Sequence, residues 1–107
     1  MNKTSDVLSG SNEVLLRKRF YVYTIFSLKD KRFYTGFSTD LKRRLQEHAK
    51  GLSKSTKFRR PFLLIHYEYF INEIDAIARE RFLKSGFGRD QLKQALKRTL
   101  MKEGYKL

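Results

Sequence analysis

Cysteine is absent from this 107-residue sequence, and histidine occurs only twice. Disulfides and thiolate metal sites are therefore excluded, and the histidines are too few for a zinc site of the all-histidine type. No apolar run approaches the length of a transmembrane helix, and Lys3 is not followed by the apolar segment of a secretory signal. These absences predict a cytoplasmic protein that has no membrane partner.

Acidic residues are also scarce, since 11 Asp and Glu stand against 24 Lys and Arg, which gives a formal net charge of +13. A positive field of this size attracts polyanions, although a solubilising surface is the alternative interpretation. The cations cluster in residues 40–60, where only Asp40 and Glu47 oppose them. We therefore expect a monomer or weak homodimer that binds nucleic acid, with DNA favoured and RNA left open. The predicted nucleic-acid-binding residues are Lys42, Arg43, Lys50, Lys54, Lys57, Arg59 and Arg60.

The length of the chain predicts one compact domain. Residues 1–16 are expected to form a flexible N-terminal tail, and residues 17–107 the domain. Aromatic and β-branched runs predict strands at 19–28, 32–37 and 62–70, and helical periodicity predicts helices at 40–50, 72–85 and 90–103. The predicted fold is α+β and similar to an α/β sandwich. It has a small three-stranded antiparallel or mixed sheet flanked by three helices, in the order β-β-α-β-α-α.

The ends of the helices carry their own predictions. Ser38 or Thr39 is expected to cap the first helix, which Gly51 ends, and Asn72 is expected to cap the second. The second helix is expected to be largely buried and to end at a turn formed by residues 86–89. The last helix is expected to turn one face inward, formed by Leu92, Ala95, Leu96, Thr99 and Leu100.

Two tyrosines from the predicted hairpin and two polar residues from the next helix form the candidate site. Tyr23 and Tyr34 lie in the first two strands, and Arg44 and His48 lie one turn apart on the helix. At about 100° per residue, both helical residues border the face that packs on the sheet, so we expect them near the tyrosines. Gly36 lacks a side chain next to Tyr34, which in a strand often marks close approach by a ligand or another backbone.

Residues 51–61 are predicted to form a polar, basic loop. Its Ser53, Ser55 and Thr56 can donate hydrogen bonds to phosphate, or the loop is simply solvated. The second histidine, His66, falls on the third predicted strand, where a structural role is expected rather than a catalytic one.

Tyr21-Val22-Tyr23 and Tyr34-Thr35-Gly36 resemble the paired motifs of the GIY-YIG nuclease family. Arg44 follows Tyr34 by ten positions and His48 follows it by fourteen, which matches the family's helix arginine and the Tyr/His position beyond it. The run from Glu73 to Glu80 is similar to the helix that carries the family's metal-binding glutamate. The resemblance is closest to the small stand-alone members and covers roughly residues 20–100.

The resemblance implies a metal-dependent endonuclease that hydrolyses phosphodiester bonds in DNA, and structure-selective action in repair or recombination is the finer expectation. It implies that Glu80 holds one Mg²⁺ or Mn²⁺ and that Arg44 grips the phosphate. Tyr23 would be the general base, and Tyr34 would position water or phosphate. His48 would relay the proton or act as the base itself, and the sequence leaves this choice open.

Three alternatives accompany this interpretation. For the whole protein, a catalytically silent nucleic-acid-binding module with the same fold would explain the positive charge. For Glu80 alone, an ion pair with Lys84 would explain a carboxylate at that position of the helix. The joint presence of Tyr23, Tyr34, Arg44, His48 and Glu80 favours the enzyme, because a binding module needs no such set. A different nuclease class is disfavoured, since no Glu-x-Lys occurs in the sequence.

Overall fold

The computed structural model describes residues 7–8, 14–15 and 18–106. Two short strands, β1 (Val7–Leu8) and β2 (Val14–Leu15), pair antiparallel near the start of the chain. The rest of the predicted tail lies outside the described residues, and the domain boundary at residue 17 stays a prediction.

An antiparallel sheet organises the molecule. β3 (Phe20–Ser27) lies at its centre, with β4 (Phe33–Ser38) on one side and β5 (Phe62–Phe70) on the other. Their aromatic and β-branched residues suit a pleated surface that is covered on at least one face. This three-stranded sheet with its helices confirms the predicted α+β fold and element order, and its pairing is antiparallel in both ladders.

The two faces of the sheet serve different purposes, because successive side chains of a strand point to opposite sides. On one face Val22 packs in a core cluster with Ala76, Leu83 and Leu92, all of them nearly inaccessible to solvent. On the other face Tyr23 meets the first helix through His48. The core therefore lies behind the sheet, and the candidate site lies in front of it.

The first helix, α1 (Leu41–Ala49), is capped by Asp40 rather than by the predicted Ser38 or Thr39. The Asp40 carboxylate accepts a hydrogen bond from the Arg43 amide at 3.1 Å. Ser38 cannot serve, because it is the last residue of β4, and its hydroxyl bonds to the Asp40 backbone instead. The helix ends as predicted, with Gly51 at a positive φ of 76° just after the C-cap.

The second helix, α2 (Glu73–Lys84), has the predicted N-cap, since the Asn72 side chain accepts from the amides of Ile74 and Asp75. The expectation that this helix is largely buried is wrong. Only Ala76 and Leu83 of its residues are buried, and Ile74 is 77% exposed. The sheet has only three strands, so it is too narrow to cover more than one side of the helix.

The predicted turn at residues 86–89 is wrong, because α3 (Gly86–Ala95) starts there directly. Ser85 caps it by accepting from the Gly88 amide at 3.1 Å. A Cβ on Gly88 would overlap the carbonyl oxygen of Phe82, so the glycine lets α3 pack against the end of α2.

The predicted final helix is in fact two helices, because the chain turns at Leu96 and continues as α4 (Lys97–Lys102). Leu92 and Leu100 are buried as expected, and Leu96 is partly buried against the core. Ala95 and Thr99 are exposed, contrary to the prediction. The predicted stripe assumed one uninterrupted helix, whereas the backbone of Leu96 leaves the helical conformation (φ −106°, ψ 22°). The longest described helix has 12 residues, and none in the described part of the chain is apolar and long enough for a membrane span.

Candidate active site

Tyr23 is the centre of the candidate site. Its side chain is 1% exposed, and its hydroxyl oxygen lies 2.7 Å from His48 Nε2. Gly36 is its partner residue on β4, and a Cβ on Gly36 would lie 2.5 Å from the Tyr23 hydroxyl oxygen. The close approach predicted at Gly36 is therefore made by a tyrosine side chain, rather than by a ligand or a second backbone.

His48 is held on both ring nitrogens. Its Nδ1 lies 2.8 Å from the Thr56 hydroxyl, and both His48 and Thr56 are buried. Neither expectation for Thr56, donation to phosphate or exposure in a solvated loop, is correct, because this residue is buried. Backbone bonds from Thr56 and Lys57 to the Ser53 carbonyl form a turn in the loop, and Arg44 of α1 donates to the Ser53 hydroxyl. Thr56 and Ser53 are buried there, whereas Ser55 is exposed.

Arg44 and Tyr34 complete the front of the site. Arg44 donates to Glu47 at 3.0 Å and to the Ser53 hydroxyl at 3.3 Å, and its side chain remains 27% exposed. The ring of Tyr34 lies 5.2 Å from the His48 ring and 6.4 Å from the Tyr23 ring, measured between centroids. The structure thus brings together the two tyrosines, the arginine and the histidine that the sequence singled out.

Burial decides the protonation of the buried pair. It raises the pKa of Tyr23 to about 12, helped by the neighbouring Tyr34 and opposed by the charge of Arg44. Burial also lowers the pKa of His48 from its ordinary value of 6.5 to about 4, helped by the same arginine. Both groups are neutral at pH 7, so the Tyr23 hydroxyl donates to Nε2, and Nδ1–H donates to Thr56.

Glu80 extends the site from α2. Its carboxylate is 19% exposed and accepts from Lys84 Nζ at 2.9 Å, which is the ion pair that the sequence offered as the alternative. Its negative charge also contributes to the raised pKa of Tyr23, so the two groups lie within electrostatic range.

A divalent cation fits the chemistry of these donors. The described residues contain no group of three or more His, Asp or Glu that could hold a metal ion. Mg²⁺ is nevertheless bound in many sites by one or two carboxylates, with waters and substrate phosphates completing its shell. A partly exposed carboxylate near a phenol and an arginine suits that mode, so Glu80 and its surroundings fit Mg²⁺ or Mn²⁺.

The predicted nucleic-acid-binding residues divide into two groups. Arg59 binds Asp30 at 2.6 Å, which holds the pKa of that carboxyl below its usual range. Arg60 donates to the Lys57 carbonyl at 2.8 Å, and Arg43 pairs with Glu47 at 2.6 Å. All three arginines therefore bond within the chain, although Arg43 and Arg60 remain exposed. The other four also lie on the surface or at its margin, namely Lys42, Lys50, Lys54 and Lys57.

Three residues of the site were missed or misassigned by sequence reasoning. Glu47 orients Arg44, Ser53 accepts from Arg44, and Thr56 fixes His48. The helix stop at Gly51 was visible in the sequence, and it is the reversal there that returns the loop to α1. The other histidine, His66, bonds to Glu68 at 2.9 Å on the core side of the sheet, away from this site.

A family comparison agrees with this geometry. The model of the GIY-YIG catalytic domain matches residues 19–94, so the chain belongs to the GIY-YIG family. This is a nuclease family, and its domain implies a nucleic acid substrate.

Several individual proteins are similar to this chain in sequence, and one of them has a solved structure. A UPF0213 protein of Clostridium perfringens is 33% identical over 86 residues, which cover 79% of this chain and 91% of that protein. A UPF0213 protein of Streptococcus pyogenes serotype M5 is 39% identical over 75 residues, which cover 69% and 80%. The solution NMR structure of the UPF0213 protein BH0048 from Bacillus halodurans is 35% identical, covers 72% of this chain and 84% of its own, and has a TM-score of 0.47. The names of these small proteins state no activity.

Proposed function

We propose that this protein is a metal-dependent endonuclease that hydrolyses phosphodiester bonds in DNA, with branched or otherwise irregular DNA as its preferred substrate. The observation that carries the proposal is the buried chain of hydrogen bonds from Tyr23 through His48 to Thr56, next to a partly exposed arginine. A fold that only binds nucleic acid has no need to bury a tyrosine, a histidine and a threonine in one hydrogen-bonded row.

The hydrogen bond to His48 provides an acceptor for the Tyr23 proton. Phosphodiester hydrolysis needs a group that activates water, and Tyr23 can do so only as a phenolate. His48 Nε2 accepts the phenol proton, and the Nδ1 bond to Thr56 keeps the ring in the required tautomer. We therefore assign His48 as the relay and Tyr23 as the general base that takes a proton from the attacking water.

The free protein holds that proton on Tyr23. The raised pKa of Tyr23 and the lowered pKa of His48 both oppose transfer of the proton to His48. A divalent cation held by Glu80 would supply positive charge that stabilises both the phenolate and the leaving oxygen. Arg44 acts in the same direction, because its charge already opposes the raised pKa of Tyr23. Activation of the site is thus coupled to the arrival of cation and phosphate.

Arg44 and Tyr34 are assigned to the phosphate. Glu47 and Ser53 hold the Arg44 guanidinium from one side, and its remaining donors are available to a phosphate oxygen. The Tyr34 ring packs on His48, which leaves its hydroxyl for positioning water or phosphate.

The test is a cleavage assay on branched, nicked, single-stranded and plain duplex DNA, with Mg²⁺ and with EDTA. We expect Mg²⁺-dependent products from wild type, highest on the branched substrate, and none from Arg44→Ala. Tyr23→Phe, which removes only a hydroxyl, should fold normally and lose cleavage. If both variants cut as wild type does, these assignments are wrong.

A catalytically silent binding module is the competing function, and one observation favours it. Lys84 already satisfies Glu80 at 2.9 Å, so the carboxylate does not require a cation. Wild type that binds all four substrates and cuts none with Mg²⁺ or Mn²⁺ would establish this alternative.

A further inference from the structure

Four tyrosines form a two-by-two array on the face of the sheet that carries the candidate site. Tyr21 and Tyr23 lie two positions apart on β3, and the register with β5 places Tyr69 beside Tyr21 and Tyr67 beside Tyr23. The Tyr21 ring centroid lies 6.1 Å from that of Tyr67 and 5.9 Å from that of Tyr69. We call Tyr21, Tyr67 and Tyr69 the tyrosine platform.

The platform is open to solvent where the fourth tyrosine is not. Tyr67 is 51% exposed and Tyr69 is 36% exposed, whereas Tyr23 is 1% exposed. The platform rings lie outside the core cluster, which packs on the opposite face of the sheet. The exposed faces of Tyr67 and Tyr69 are therefore not covered by the core and remain available to a flat partner.

A cleft of about 490 Å³ opens beside the platform. Tyr21 and Tyr67 form its aromatic wall, Leu41 adds apolar surface, and Arg19 and Lys42 bring positive charge to its rim. Asp40 also lines the cleft, but its carboxylate already caps α1. Aromatic rings beside cations are the combination that binds a polynucleotide with its bases unpaired, because the rings stack on bases and the cations contact the backbone.

We propose that the tyrosine platform stacks an unpaired nucleobase of the substrate, next to the phosphate that meets Tyr23. The inference rests on the proposed function and deepens it, since it assigns the substrate class as a strand with at least one unpaired base. Tyr67 is the cross-strand neighbour of Tyr23, so a base next to a phosphate held at Tyr23 lies within reach of the platform. A fully paired duplex presents no free base face to these rings.

Binding without cleavage tests the proposal, so all titrations are made with EDTA in place of divalent cations. Fluorescence anisotropy compares a labelled single strand with a blunt duplex of the same sequence at one fixed salt concentration. We expect Tyr67→Ala to weaken single-strand affinity roughly 5- to 100-fold and duplex affinity by less than about twofold. Tyr67→Phe keeps the stacking ring and should bind as wild type does.

Two controls make the test specific. Phe87→Ala removes an aromatic ring that is 70% exposed on α3, away from the site, and should leave both affinities unchanged. A set of strands, each with one abasic position, should contain one that wild type binds more weakly and that Tyr67→Ala does not distinguish. Matching single strands of RNA show whether the platform accepts both sugars.

The outcomes separate this inference from the proposed function. Equal losses for single strand and duplex, or no loss in Tyr67→Ala, would overturn the platform while leaving the nuclease assignment untouched. A change of molecular mass in Tyr67→Ala, measured by light scattering, would also overturn it by showing a protein interface. Failure of wild type to bind any nucleic acid would remove the proposed function itself.

Discussion

At the scale of single residues, His48 is defined by what holds its two ring nitrogens. Tyr23 and Thr56 come from a strand and a loop that are far apart in sequence, and both side chains are buried against it. Neutral imidazole has one donor and one acceptor, so the two partners determine which nitrogen carries the proton.

Thr56→Val tests that role, because valine keeps the shape and removes the hydroxyl. It leaves His48 Nδ1–H buried without its acceptor, which should cost about 1–3 kcal/mol of unfolding free energy. If His48 relays the proton, cleavage should fall even where the variant is fully folded. Urea unfolding and cleavage rates measure the two effects, with Thr99→Val, at an exposed threonine of α4, as the control. Unchanged cleavage in folded Thr56→Val would show that the His48 tautomer does not matter.

The lowered pKa of His48 predicts an acid-sensitive fold. Its pKa falls from 6.5 in the unfolded chain to about 4 in the folded one, so the unfolded chain binds the extra proton between these values. Stability is therefore fully present above about pH 6.5 and declines as the pH falls towards 4, by about 3 kcal/mol from this group alone. His48→Gln, which does not titrate, should lack this part of the decline. Urea titrations of both proteins from pH 7.5 to 4.5 test it, and parallel pH profiles would contradict it.

The absence of a side chain at Gly36 makes room for the Tyr23 ring, so a substitution there should disturb the site. A methyl group there would meet the buried Tyr23 ring, which cannot move without breaking its bond to His48. Gly36→Ala should therefore keep the strand pairing and lower cleavage strongly. Ultraviolet absorbance titration should find a changed tyrosine pKa, since the ring loses its place. Wild-type cleavage and an unchanged titration curve would mean that the ring adjusts freely.

At the scale of elements, α2 carries Glu80, which we assign to the site, and Lys84, which competes with a cation for the Glu80 carboxylate. The charge of Glu80 helps to raise the pKa of Tyr23, but its carboxylate already forms an ion pair with Lys84, one turn later. Such i,i+4 pairs contribute only about 0.2–0.5 kcal/mol, so a divalent cation can displace the ammonium group.

Glu80→Gln should fold normally, bind DNA and cut nothing, because the amide keeps the shape and loses the charge. Lys84→Ala should have the opposite effect on metal binding, since it frees the carboxylate. We expect isothermal titration with Mn²⁺ to give tighter binding for Lys84→Ala than for wild type, and none for Glu80→Gln. Metal-dependent cleavage by Glu80→Gln would sink the assignment of Glu80 as the metal ligand.

The same elements show what the sequence determined and what it did not. Strands β3, β4 and β5 were predictable because aromatic and β-branched runs are local properties of the chain. The division at Leu96 was not, because it depends on where Leu92 and Leu100 find the core in three dimensions. Tyr34, Arg44 and His48 were predictable from spacing and resemblance, whereas Thr56 joined them only through the fold of its loop.

At the scale of the whole molecule, the basic residues that give the net charge of +13 include some that are paired within the fold and some that are exposed to solvent. The Arg59 guanidinium donates hydrogen bonds to the Asp30 carboxylate and to the Phe33 carbonyl, and so connects the loop to the hairpin. Lys54 lies exposed on the same loop. Two residues with equal charge and neighbouring positions should therefore respond differently to the same substitution.

Lys54→Ala and Arg59→Ala form a charge-matched pair that tests this division. Lys54→Ala should reduce the slope of log affinity against log salt by about 1 if Lys54 contacts a phosphate, and leave the melting temperature unchanged. Arg59→Ala should lower the melting temperature by about 4–8 °C, because it removes about 1 kcal/mol of hydrogen-bonded ion pair. Anisotropy across a salt series and thermal melts measure both. Identical behaviour of the two variants would contradict the division.

The order in which the site's parts occur along the chain has a consequence for synthesis. Tyr23, Gly36, His48 and Thr56 leave the ribosome before Glu80 does, and 16 of the 24 basic residues also precede Glu80. A growing chain folds from its N-terminus as it emerges. Under the proposed function, it can adhere to nearby RNA well before it can bind the cation that makes it a cutting enzyme. If the chain is the proposed nuclease, it therefore carries most of its positive charge before it carries the carboxylate that would hold the cation.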